Sequence, residues 1–212
     1  MHTTSDISKI DPSRPVVALT FDDGPDEQTS HILDILQQHG GHVSFFVTGK
    51  KIAGNENRIL RAFRMNNEII CHAWDHLDLT KLSGSEIKKQ IFDTVAEIAK
   101  ITGTVSLMLR PPYGNVNKKV KKIARKLGLA IVNWSLDPND WKTRNAEAVY
   151  TYIMSNLKDG DIVLCHDIYD STTWAMSHII PELIDQGYQL VTVSDLLLYK
   201  YGTIEPGRLY EE

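Results

Sequence analysis

Long apolar runs are missing from this sequence. None approaches the ~20 residues that a membrane-spanning helix needs, so no span is expected. Cysteine is scarce: Cys71 and Cys165 are too few for a disulfide framework and read as two small buried thiols. Positive charge is not in excess. The 23 Lys and Arg stand against 27 Asp and Glu, a net charge of −4, which gives no electrostatic reason to expect nucleic acid or an anionic membrane as partner. No glycine-rich phosphate loop follows the first apolar run, where TFDDGP carries one glycine and two acids that would repel a pyrophosphate. The opening stretch MHTTSDISK has no apolar export core, so composition leaves the compartment open.

What is present is a regular alternation. Short, continuously apolar runs occupy PVVALTF (15–21), HVSFFVTG (42–49), NEIICHAW (67–74), SLMLRPP (106–112), LAIVNWSL (129–136), DIVLCHDI (161–168) and YQLVTVSDLL (188–197). Runs of this kind read as parallel strands covered on both faces. Helical patterns lie between them. Ser83 and Glu86 have capping-box spacing, and Ile87, Ile91, Val95 and Ile98 follow as one stripe ending at Gly103. Segments 26–40, 117–127, 145–158 and 171–186 behave alike, and 50–66 is the weakest. Seven strands and their helices in 212 residues, with no break in composition, predict one α/β domain over 1–212 with its core at about 15–198. A closed parallel barrel of the TIM type, one unit short of eight, fits first; an open doubly wound sheet fits second.

The reactive side chains gather at one place in this pattern. Asp22 and Asp23 end the first run, His72 and His76 the third and Arg110 the fourth. Asp137 and Asp140 follow the fifth, and His166 ends the sixth. These are carboxyl ends of strands, the face on which barrel enzymes build their sites. The spacing in His72-Ala-Trp-Asp-His76 would suit a zinc protease only on a helix with Glu after the first His, and here that residue is Ala73. Two imidazoles and a carboxylate remain a facial set for Zn²⁺ or a similar ion. Adjacent strand residues point to opposite faces, so Asp22 and Asp23 can share one pocket only if Gly24 and Pro25 break the strand. One acid can then bind the cation while the other stays free as a base. Cys71 and Cys165 each precede a site histidine, and alternation turns both into the wall behind it.

TFDDGP (20–25), HAWDH (72–76), RPPYG (110–114), DPNDW (137–141) and LCH (164–166) resemble, in order, the five motifs of the NodB-homology polysaccharide deacetylases, carbohydrate esterase family four. The resemblance covers about residues 15–198 and implies a distorted (β/α)7 barrel that removes acetyl groups from a polysaccharide with one divalent metal ion. Zn is the first expectation, with Co or Ni after it. Carried over, Asp22 looks like the catalytic base, and Asp23, His72 and His76 like metal ligands. Arg110 resembles the arginine that holds the base. Tyr113 falls where a backbone N–H helps stabilise the oxyanion, and Asp140 resembles the partner that tunes His166, the general acid. Trp141, Leu164, Pro112 and Trp74 fall at substrate-groove positions, Leu164 beside the acetyl methyl group. Two positions depart from the family's habit: Ala73 where Ser or Thr is common, and Leu77 where Pro is frequent.

Other aromatic side chains near the motifs serve as sugar platforms or as packing, Trp134 reading as core and Trp174 staying open. His2, His31, His39, His42 and His178 read as surface or scaffold. The resemblance implies N-deacetylation of N-acetylglucosamine in peptidoglycan, with chitin or acetylxylan as the alternative polymer. A barrel that only binds glycans, and hydrolysis of a small amide, are the remaining readings. A polysaccharide is the expected partner, of a monomer with no protein partner, and an extracellular or cell-envelope location follows from that substrate.

Overall fold

The computed structural model describes residues 7–211, and the opening MHTTSD, His2 included, lies outside them. Strand and helix alternate as β1 (Val16–Asp22), α1 (Glu27–His39), β2 (Ser44–Val47), α2 (Glu56–Arg64), β3 (Glu68–Cys71), α3 (Gly84–Thr102), β4 (Met108–Leu109) and α4 (Lys118–Lys126). They continue as β5 (Ala130–Val132), α5 (Asp140–Thr143), α6 (Ala146–Asn156), β6 (Ile162–His166), α7 (Asp170–Asp185), β7 (Gln189–Leu190), α8 (Val193–Tyr201) and β8 (Leu209–Tyr210).

The strands pair in parallel in the order β6-β1-β2-β3-β4-β5-β8, with β7 beside Val16 and Val17 at the start of β1. Beyond β5 the chain bridges to β6 at Leu136 and Val163, which curls the sheet shut. Seven βα units closed in this way form a distorted (β/α)7 barrel. Local signals set the helix ends. Ser83 Oγ accepts from Glu86 N, and the Glu86 carboxylate accepts from Ser83 N, starting α3; Gly103 in the left-handed region stops it.

One expected strand is mostly helix. Of the apolar run 188–197 only Gln189 and Leu190 extend, and Thr192 then caps α8 by accepting from Asp195 N at 3.1 Å. Val193, Leu196 and Leu197 lie on one helical face that plugs the barrel, a 3.6-residue spacing hidden in an unbroken apolar run. Strand β8, which the sequence did not announce, pairs with β5 and buries Tyr210.

Alternation decides what enters the barrel. Ala18, Phe46, Ile70, Met108 and Ile162 form the inner cluster, whereas Leu19, Phe21, Phe45 and Val163 pack outward with Ile32, Leu33 and Leu36 of α1. Each such outward side chain contributes about 1.5–3 kcal/mol by leaving water. Counting on by two from the inner residues reaches Asp22, His72, Arg110 and His166. Their neighbours Cys71 and Cys165 face the outer layer and are fully buried free thiols, as alternation predicted. Among the described residues no helix is long and apolar enough to cross a membrane.

Candidate metal centre and its flanking groups

The strand break at Asp22 and Asp23 comes one residue earlier than the sequence suggested. β1 ends on Asp22, and Asp23 itself takes φ 74°, a left-handed conformation that costs about 1–3 kcal/mol for a side chain other than glycine. This turn carries Asp23 back to the side that Asp22 faces. Gly24 follows because a side chain there would strike Asp167, whose carboxylate oxygen would lie 2.3 Å from a Cβ. Asp167 is fully buried and accepts from the Thr29 hydroxyl; burial pushes its carboxyl up to about 7.

Asp23 Oδ1 lies 3.1 Å from His76 Nε2 and 3.5 Å from His72 Nε2. That oxygen is buried without a hydrogen-bond donor, and the three ligand atoms lie within 4.8 Å of one another. A cation would satisfy both facts. His72 Nδ1 is 2.8 Å from the Arg110 carbonyl, which can only accept, so Nδ1 carries the proton and Nε2 offers its lone pair to the centre. Burial holds the His76 imidazole below its ordinary pKa against the opposing pull of Asp23, which favours the neutral ring a metal requires. The Asp23, His72 and His76 donor set therefore fits a divalent ion.

Asp22 stands apart from this trio. Its Oδ1 accepts from Arg110 Nη1 at 2.7 Å, and its Oδ2 is 3.6 Å from His72 Nε2. Arg110 is fully buried, and every nitrogen of its guanidinium is used. Nε donates to the Val132 carbonyl, Nη2 to the Asn133 carbonyl, and Nη1 also to Thr20 Oγ1 at 2.8 Å. Its Cζ lies 3.8 Å from the Phe46 ring centroid, over the ring face. An arginine clamped this way fixes the Asp22 carboxylate in direction and offsets its charge.

His166 occupies β6 in register with Asp22. Its Nδ1 is 2.8 Å from Asp140 Oδ1, while Asp140 Oδ2 accepts from His166 N and from the Thr172 hydroxyl. Burial opposes charge on this imidazole. The hydrogen bond to Asp140 and the carboxylates of Asp140, Asp22 and Asp23 outweigh it and push the pKa up to about 9. Asp137 organises the approach: its carboxylate accepts from Asn139 N at 2.7 Å, and Asn139 at φ 55° turns the chain into α5, where Asp140 sits.

Of the remaining expected residues, Tyr113 touches the centre directly. The Tyr113 ring packs edge-on to His76 at 4.7 Å, in a left-handed turn of φ 63°. Tyr113 and Trp141 are exposed, and Pro112 is buried. Leu164 is buried one inward step before His166. The Trp74 ring lies against Gly49, and Trp134 packs with the inner cluster, as expected. Trp174 lines a separate depression of about 510 Å³ with Arg144 and Asp170. His31, His39 and His178 are exposed and His42 is half-buried, and none belongs to the metal-ligand trio.

Sequence reasoning passed over Thr20, Thr172 and Gln90. Thr20 falls on the inward register of TFDD and was legible by parity. Gln90 and Thr94 interrupt the buried stripe of α3, and a polar residue there is itself a signal. Thr172 had none.

Fold and site together fit a class of barrel hydrolases with a cation-binding trio set beside a clamped carboxylate and an imidazole. Comparison with known proteins agrees. The polysaccharide deacetylase family model matches residues 9–132. The peptidoglycan-N-acetylmuramic acid deacetylase PdaC of Bacillus subtilis is 42% identical over 88% of this chain and 40% of its own length. The peptidoglycan-N-acetylglucosamine deacetylase PgdA of Listeria monocytogenes is 40% identical over 85% of this chain and 38% of its own. The solved PdaC structure superposes with a TM-score of 0.87 at 41% identity, covering 91% of this chain and 95% of that one. A family 4 acetyl xylan esterase from Clostridium thermocellum, solved with a cobalt ion, gives 0.86 at 33% identity over 93% and 98% of the two chains. The chain belongs to the polysaccharide deacetylase family, whose members are metal-dependent hydrolases of acetyl groups. It spans about two fifths of the length of the curated PdaC and PgdA.

Proposed function

We propose that this protein removes N-acetyl groups from peptidoglycan at N-acetylglucosamine, acting as one domain and a monomer in the cell envelope or outside the cell. The observation that carries the reading is the split between two adjacent acids: Asp23 faces two imidazoles while Asp22 is held by Arg110. A ligand and a base are needed side by side, and the two environments divide the roles.

Asp23, His72 and His76 hold the ion, Zn²⁺ first and Co²⁺ or Ni²⁺ after it. When bound, it supplies a lowered pKa for water and polarisation of the acetyl carbonyl. Asp22 accepts the proton of the attacking water, oriented by Arg110. The Tyr113 N–H donates to the developing oxyanion. His166, protonated at neutral pH, gives its proton to the departing amine, with Asp140 holding the ring in place. Leu164 contacts the acetyl methyl group, and the Trp141, Trp74 and Pro112 positions border the sugar. Peptidoglycan as polymer is supported by the names of PdaC and PgdA.

A second reading, N-acetylmuramic acid as the sugar, rests on the name of PdaC, 42% identical. Acetate release from peptidoglycan, chitin oligomers and acetylxylan, with chelator and then with Zn²⁺ restored, ranks the polymers. Product analysis separates the two sugars. The Asp22→Asn variant is expected to lose at least a hundredfold in kcat while Zn²⁺ affinity changes less than threefold. No acetate from any polymer by the zinc-loaded protein would leave only a glycan-binding barrel.

A further inference from the structure

The loop that delivers His76 is strained and short of side-chain support. Ala73 and His76 take φ of 62° and 56°, both left-handed. Ala73 has no polar group to hold its neighbours in place. Yet backbone groups of the loop are engaged, the Asp75 carbonyl among them, which accepts from Lys50 Nζ at 3.5 Å. On one side, Gly49 N donates to the Ala73 carbonyl at 2.9 Å and Lys50 N to the Trp74 carbonyl at 3.0 Å. Gly49 is required for this approach, since a Cβ there would come within 2.3 Å of the Trp74 ring.

On the other side stands one residue. Gln90 Oε1 accepts from Trp74 N at 2.9 Å and from Asp75 N at 2.8 Å, and its Nε2 donates to Asp75 Oδ2 at 3.0 Å. Two converging N–H groups demand the oxygen at that position, which fixes the orientation of the amide. Gln90 is 9% exposed on the buried face of α3, between Ile87 and Ile91.

We propose that Gln90 is the positioning residue of the metal loop: its amide, not a group within the loop, holds residues 74 and 75 so that His76 meets Asp23 and His72. The inference rests on the metal reading given above. Groups behind the ligands that fix their direction typically govern metal affinity by ~10–100-fold.

The test is the Zn²⁺ affinity of the metal-free 212-residue protein, read by competition with a chromophoric chelator alongside thermal unfolding of the metal-free form. Gln90→Leu removes all three hydrogen bonds and is expected to weaken Zn²⁺ at least tenfold. Gln90→Glu keeps the acceptor but sets a carboxylate against Asp75, and is expected to weaken binding similarly. The Asp75→Asn/Gln90→Glu pair exchanges donor and acceptor across the same contact. It is expected to return affinity to within threefold of the parent, a rescue that mere loop packing would not give. Unchanged Zn²⁺ affinity in Gln90→Leu with a lowered unfolding temperature would overturn the proposal, as would failure of the exchanged pair to recover. If the parent protein itself bound no Zn²⁺, the metal reading would fall instead, before any variant was compared.

Discussion

Replacing Asp140 by Asn isolates the force that keeps His166 protonated. Asp140 accepts four hydrogen bonds, from His166 Nδ1, His166 N, Thr172 Oγ1 and Trp141 N, all at 2.8 Å. An asparagine must turn an NH₂ group toward at least one of those donors, and it carries no charge. The imidazole is raised from 6.5 to about 9 against its own burial, with the bond to Asp140 the largest upward contribution. At about 1.4 kcal/mol per tenfold, the charged ring is favoured by roughly 3 kcal/mol. The sign follows: with the folded value raised, this stability is fully present below 6.5 and is lost as pH rises through about 9.

In Asp140→Asn the pKa is expected to fall to 6.5 or lower. At pH 8 the protonated fraction then drops from about nine tenths to a few hundredths, a roughly thirtyfold loss in kcat from titration alone. At pH 6 the same variant is expected to lose only severalfold. The checks are the alkaline limb of kcat against pH and the NMR titration of the His166 ring in both proteins. A wild-type ring titrating near 6.5, or an alkaline limb that stays in place in the variant, would refute the reasoning.

Arg110→Met strands the Asp22 charge in the barrel, and removing one member of a buried pair costs about 3–5 kcal/mol. For a chain of this size that lowers Tm by roughly 6–20 °C. Adding Asp22→Asn is expected to recover much of it, and a single-variant loss below about 1 kcal/mol in calorimetry would contradict the clamp. Burial pushes the Cys71 thiol up to about 12 and Cys165 well above its ordinary value. Neither is expected to react with a thiol reagent in the native protein over an hour at pH 8. Fast modification accompanied by lost activity would show that the wall behind the site opens.

The sequence by itself determined the succession of βα units, the caps of α3, and the inward faces of β1, β3, β4 and β6. The reason is that periodicity and capping are local: a run alternates, or a Ser stands three residues before a Glu, whatever lies elsewhere in the chain. The same locality misled at 188–197, where an unbroken apolar run concealed the helical face of α8. Strand parity left open which of two adjacent acids meets the imidazoles; the family resemblance pointed to Asp23, and the tertiary structure supplies the physical reason. The left-handed turn at Asp23 and the Arg110 clamp on Asp22 depend on β1, β3, β4 and the segment after β5 arriving at one point. Gln90, sixty-seven residues beyond Asp23 in the chain, reaches the metal loop for the same reason. Closure of the barrel makes neighbours of residues that no spacing rule connects.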